Sequence, residues 1–231
     1  MHKLRQFRLC PHSRAVRLAL GEYGIAFELV EEQPWAWRAE FLALNPAGEL
    51  PVLEIAGGPV LCGLHATLEF LAEEPYRHPA TDQLVRLLPA DREQRAEVRR
   101  LLDWFARKLD REVTQPLLAD RVYAALGRAG AALADPRAVH AIQANLDYHL
   151  GYVAFLAYQR RWLAGDEMGL ADLVAAAQLS VADYFGAIAW GAHPVAKDWY
   201  SRIKSRPSLR PLLADRVPGL PPPLAYTNLD F

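Results

Sequence analysis

The 231-residue sequence has only two cysteines, Cys10 and Cys62, too few for a disulfide framework. Lysine is confined to Lys3, Lys108, Lys197 and Lys204, and this arginine bias reads as genome composition rather than chemistry. No sign of charge prevails: 26 basic residues face 27 acidic ones, for a net charge of -1. A nucleic-acid partner is therefore not expected, since such binders carry a basic excess or stripe. The start, Met1-His2-Lys3-Leu4-Arg5, lacks the long apolar core of a signal peptide, so a reducing cytoplasm is the expected compartment. One stretch, Leu170 to Trp190, approaches membrane-spanning length. Asp172 and Asp183 inside it favour a buried central helix, and no membrane partner is expected. His140, His149 and His193 lack the spacing of a metal site, and no glycine-rich phosphate loop or internal repeat is present. What remains is an ordinary, well-cored composition with 52% hydrophobic and 23% charged residues. A chain of this length buries roughly 70% of its unfolded surface.

Hydrophobic periodicity divides the chain. Leu4 to Phe7 and Phe27 to Val30 read as strands around a helix from about Ser13 to Tyr23, which ends at Gly24. Val16, Ala19 and Leu20 share that helix's apolar face, and Arg14, Arg17 and Glu22 are expected to reach water. A tryptophan-rich segment and a short helix through Leu44 follow. Pro51 to Ile55 and Val60 to Cys62 form a hairpin about Gly57-Gly58, and a helix from Leu64 to Glu74 closes the unit. This order, β-α-β, short helix, β-β-α, is that of a thioredoxin-like domain. Beyond Ala90 the pattern is helical: Arg92 to Leu118, Arg137 to Tyr158, Leu170 to Ala187 and Pro194 to Lys204. Six prolines in the last 25 residues imply a tail running extended over the surface. The expected division is 1–76, a linker at 77–89, a helical domain at 90–206 and a proline-rich tail at 207–231.

Three motifs resemble the glutathione transferase superfamily over nearly the whole chain. They are Cys10-Pro11-His12-Ser13-Arg14-Ala15-Val16-Arg17, Asn45 through Leu53, and Trp162 to Asp166 followed by Leu170-Ala171-Asp172. The resemblance implies a thioredoxin-like domain (α/β) followed by an all-α bundle, a homodimer, and a cis proline at Leu50-Pro51. Leu50 backbone groups would then pair with the cysteinyl part of glutathione. Cys10, at a strand-to-helix junction, occupies the position of the activating residue, where a helix dipole stabilises a thiolate. Ser13 stands where redox relatives carry a resolving cysteine. Filling a strand end is the other reading of Cys10. The clamp for the γ-glutamyl end, an acidic residue followed by serine or threonine, falls on Gly63-Leu64, and neither side chain can hydrogen-bond. Each lost contact to a charged group costs roughly 1.5–3 kcal/mol. His65 is the neighbouring substitute, with a surface histidine as the alternative. Glutathione is thus a doubtful ligand, and no cofactor is required. Asp172 is expected to cap the central helix, and Asp183 to need a partner if buried, with a polar group lining the interdomain cleft as its other reading.

A narrower resemblance lies in the C-terminal third. Leu179 to Gly186, Trp199-Tyr200, Lys204 to Pro207, Leu213 to Arg216 and Leu229-Asp230-Phe231 are similar to FtsZ-binding members of this fold in alphaproteobacteria. The likeness implies an adaptor on filaments of the division tubulin FtsZ, acting at the division site without evident glutathione chemistry. The alternative is a glutathione-dependent transferase or thiol transferase using Cys10; a regulator of some other partner is a third reading. Trp35 and Trp37 in a loop, and the tail tip Asp230-Phe231, are the candidate partner contacts. The competing readings are packing under the loop or lining the dimer interface for the tryptophans, and a strap across the protein's own domain for the tail.

Overall fold

β1 (His2–Gln6) is the centre of a four-stranded sheet ordered β2-β1-β3-β4, in a computed structural model that describes residues 1–73, 75–123, 125–126 and 136–229. It pairs in parallel with β2 (Phe27–Glu31) and antiparallel with β3 (Val52–Glu54), which pairs in turn with β4 (Val60–Cys62). Leu4 is fully buried opposite Leu29 and Leu53. Between β1 and β2 runs α1 (Pro11–Tyr23), with proline in its first turn and Gly24 ending it at φ 68°. Only glycine fits there, because a Cβ would lie 2.7 Å from Pro79 Cδ. α2 (Ala39–Leu44) and α3 (Leu64–Ala72) complete the thioredoxin-like domain. The stretch read as a linker holds a small hairpin of β5 (Tyr76–Arg77) and β6 (Leu84–Val85).

α4 (Arg92–Asp103) begins at Asp91, whose carboxylate accepts the Glu93 and Gln94 N–H groups. The helix then widens to π geometry over Trp104–Thr114, resumes as α5 (Gln115–Leu118) and widens again over Ala119–Tyr123. Pro116 has no N–H to offer the Glu112 carbonyl four residues earlier, and Asn145 Nδ2 donates to it instead at 3.2 Å. α6 (Pro136–Gln159), α7 (Leu170–Tyr184), α8 (Pro194–Lys204) and the short α9 (Arg210–Leu213) and α10 (Leu224–Thr227) finish the helical domain.

All 15 residues of α7 are buried, as a helix apolar on every side requires. Its acidic residues are satisfied within the fold. Asp172 accepts the Leu163 and Gly169 N–H groups and Trp199 Nε1, which supplies half of a capping box, glycine having no side chain to return the other half. Asp183 pairs with Lys204 at 3.1 Å and accepts from Trp190 Nε1 at 2.9 Å. Both roles are structural.

Two expectations need correction. Arg14, Arg17 and Glu22 do not reach water: α1 is covered on its second face by α7 and the α8–α9 region, and all three are buried. Arg17 donates to both oxygens of Asp215, at 2.7 and 3.1 Å, and Arg14 reaches Asp215 Oδ2 at 3.5 Å. Glu22 accepts two hydrogen bonds from Arg206 and one from Ser208. The tail, likewise, is not simply extended. Tyr226 is buried, its hydroxyl accepting from Arg14 and donating to the Leu212 carbonyl, so the chain end straps its own domain through that residue.

One buried histidine sets a pH dependence. Trp104 Nε1–H donates to His149 Nδ1, leaving Nε2–H to donate to Glu112 Oε2 at 3.1 Å, the arrangement of a neutral ring. Burial lowers the His149 pKa below its ordinary 6.5; the Glu112 carboxylate opposes this, and the Lys108 charge adds to it. The unfolded chain therefore takes up this proton first as pH falls. Its stability contribution is complete above about 6.5 and is lost on acidification toward the lower folded value. The melting temperature is expected to fall in that window, and more shallowly in His149→Gln. Parallel melting profiles for the two proteins would show that His149 is not the group responsible.

Candidate functional site

A cavity of about 600 Å³ opens between the two domains. The β1–α1 junction contributes Phe7, Cys10 and His12, and the loops before α2 and β3 contribute Pro34, Trp35, Trp37 and Ala47 to Leu50. The widened helix supplies Asp110, Gln115 and Tyr123 from the opposite wall. His12 Nε2 lies 3.0 Å from the Ala106 carbonyl, which ties α1 to that wall.

Cys10 sits at the N-terminus of α1, half-buried, as the sequence implies. Its environment does not favour a thiolate. Burial pushes the thiol pKa above its ordinary value and the Asp110 carboxylate adds to this, against the side chain and N–H of Ser13 and the N–H of His12. The Leu50-Pro51 bond is cis. Leu50 lines the cavity, whereas Ser13, Pro51, Gly63, Leu64 and His65 are not part of its lining. Gly63 caps α3 at φ 84° with no side-chain hydrogen bond, Leu64 is buried in the core, and His65 is exposed. A side chain added at Gly63 would meet open space but would hold a backbone conformation that L residues rarely adopt. No side chain at Gly63-Leu64 therefore offers the polar grip expected of a γ-glutamyl clamp.

The two loop tryptophans divide. Trp35 packs edge-on against Phe7 at 5.2 Å and against Tyr123 at 5.4 Å, bridging the domains. Trp37 is 64% exposed and stands at φ 50°, its ring over the Gly48 backbone at the cavity mouth. Asp230 and Phe231 lie outside the described residues. No group of three or more potential metal ligands occurs among the described residues.

Sequence reasoning missed Asp110, Gln115 and Gln178. Asp110 is buried, and its Oδ1 accepts from Gln115 Nε2 and Gln178 Nε2, both at 3.2 Å. The available signal was a carboxylate between the core positions Leu109 and Val113, together with a glutamine inside the all-apolar α7.

A thioredoxin-like sheet joined to an all-helical bundle, with a cis proline directly after the cleft-lining Leu50, defines a class of protein. Residues 9–74 match the family model of the glutathione S-transferase N-terminal domain, and residues 130–207 match that of the C-terminal domain. The chain belongs to the glutathione S-transferase family. Within it, the chain is 45% identical over 231 residues to FtsZ-localized protein A of Caulobacter vibrioides, covering 99% of this chain and 97% of that one. The solved structure of FzlA from C. crescentus superposes with a TM-score of 0.91 at 45% identity, over 100% of this chain and 99% of that one. A glutathione S-transferase from Sinorhizobium meliloti 1021 superposes with a TM-score of 0.92 at 45% identity over the full length of both.

Proposed function

We propose that this protein is a transferase-fold adaptor that binds FtsZ and regulates its filaments, as a homodimer, in the cytoplasm at the division site. The observation that carries the reading is the 45% identity over essentially the whole chain to a protein named for its localisation with FtsZ. The uncharged, side-chain-poor Gly63-Leu64 position supports it, because a glutathione-dependent enzyme needs a grip on the charged end of its cofactor. Trp37 is the partner anchor: an exposed indole held out by a left-handed backbone, in a geometry that persists only where the surroundings fix it. Function on this reading requires no cofactor.

Two measurements test it. Purified protein is expected to pellet with GTP-assembled FtsZ filaments, and Cys10→Ser to pellet equally well. Titration with reduced glutathione in a calorimeter is expected to give no heat at millimolar concentration. The second reading, a thiol transferase using Cys10, is favoured by the placement of Cys10 beside Leu50 in one cavity. Millimolar glutathione binding, with loss of function in Cys10→Ser, would replace the adaptor reading with that one.

A further inference from the structure

The charged groups lining the interdomain cavity are all of one sign. Glu49 and Asp110 are its carboxylates, and no lysine or arginine contributes to the lining. Glu49 is exposed at the mouth, and its side chain has no partner among the described residues. Asp110 is 9% exposed, and both of its hydrogen bonds fall on Oδ1, so Oδ2 has no partner and is the oxygen left for the cavity. Nor is Oδ2 among the fully enclosed polar atoms lacking partners, consistent with its opening into that space. A buried carboxylate with an open acceptor oxygen is costly unless a donor, and best a positive one, completes it. Four aromatic rings line the same cavity: Phe7, Trp35, Trp37 and Tyr123. Aromatic faces attract ammonium and guanidinium groups through the ring quadrupole, most strongly where water is displaced. The Asp110 charge that disfavours a Cys10 thiolate would favour a cation in the same place.

We infer that the cavity is a binding site for a small organic cation, an alkyl guanidinium or alkylammonium. Its charged head would complete Asp110 Oδ2, and its stem would lie between the aromatic walls toward Glu49. The volume of about 600 Å³ is that of a small-ligand site. Trp37 is common to this cavity and to the adaptor reading, but the titration needs no FtsZ, so the inference is tested on the protein alone and the two can fail separately.

The experiment titrates agmatine, spermidine, N-butylurea as the neutral analogue of an alkyl guanidinium, glutathione and a short arginine-containing peptide into the purified protein. Binding is read by quenching of tryptophan fluorescence and by the melting temperature. Agmatine or spermidine is expected to saturate the signal at sub-millimolar concentration, the neutral analogue not to, and affinity to fall as salt rises from 0.05 to 0.3 M, on the order of a Debye-screening effect. Glu49→Gln and Asp110→Asn are each expected to weaken binding about tenfold or more, a loss of at least ~1.4 kcal/mol. Glu49→Gln touches no internal hydrogen bond, so it reads the charge even if Asp110→Asn perturbs the fold. The inference is overturned if neither cation binds, if the peptide binds while the free cations do not, or if Glu49→Gln binds as tightly as the unaltered protein.

Discussion

Replacing Asp215 with alanine is expected to destabilise the protein by about 3–5 kcal/mol, the cost of leaving buried charge without its partner. Asp215 is buried and is the carboxylate facing both Arg14 and Arg17, two guanidinium groups themselves almost fully enclosed. Arg14 keeps its bonds to the Arg8 carbonyl, Ser180 Oγ and Tyr226 OH, but these are neutral acceptors and do not balance its charge. Arg17 retains only weak contacts, to Gln6 Oε1 and the Pro211 carbonyl, both at 3.4 Å. The control is Glu69→Ala, which breaks the exposed pair with Arg99 and is expected to cost no more than about 1 kcal/mol. Urea denaturation of the three proteins checks the contrast. Equal midpoints for the Asp215 and Glu69 variants would mean that the buried pair is relaxed by water or by rearrangement of the short α9.

Trp37→Ala is expected to weaken co-pelleting with FtsZ filaments by about thirtyfold, corresponding to the ~2 kcal/mol at which a residue counts as an interface hot spot. Stability should change by no more than about 0.5 kcal/mol, because the side chain is largely in water. Alanine meets the same left-handed backbone at φ 50° as tryptophan does, so the loop is not relaxed by the change. Trp35→Ala makes a useful comparison. Trp35 contacts Phe7 and Tyr123, and its loss opens a void between the domains, so its effect on filament binding would come with a lower melting temperature. Undiminished binding by Trp37→Ala would move the contact surface elsewhere.

Local pattern was enough for the order of strands and helices, because periods of 2 and 3.6 and the glycine stop at Gly24 are written in consecutive residues. The Cys10-Pro11 junction, the cis Leu50-Pro51 bond and the bare Gly63-Leu64 position were legible for the same reason, as contiguous motifs. The α1 charges were not. Periodicity identifies an apolar face but is blind to what covers the other one, and the partner of Arg14 and Arg17 stands about 200 residues away at Asp215. Asp110 escaped for a related cause. A helical run read for its apolar positions gives no hint that the helix widens at Trp104 and turns a carboxylate toward a cavity whose other wall belongs to the first domain. The hairpin at 76–85 is made of two-residue strands, too short for alternation to register.

The burial of Arg14, Arg17 and Glu22 bears on how the chain comes apart. A first domain severed from the second would face solvent with three ionised groups on a helix whose complementary surface is missing, and the second would carry Asp215 and Arg206 without theirs. Neither half is self-sufficient, so the two are coupled in unfolding. A single sharp transition spanning both domains is the behaviour this seam dictates, and neither domain expressed by itself should retain native stability.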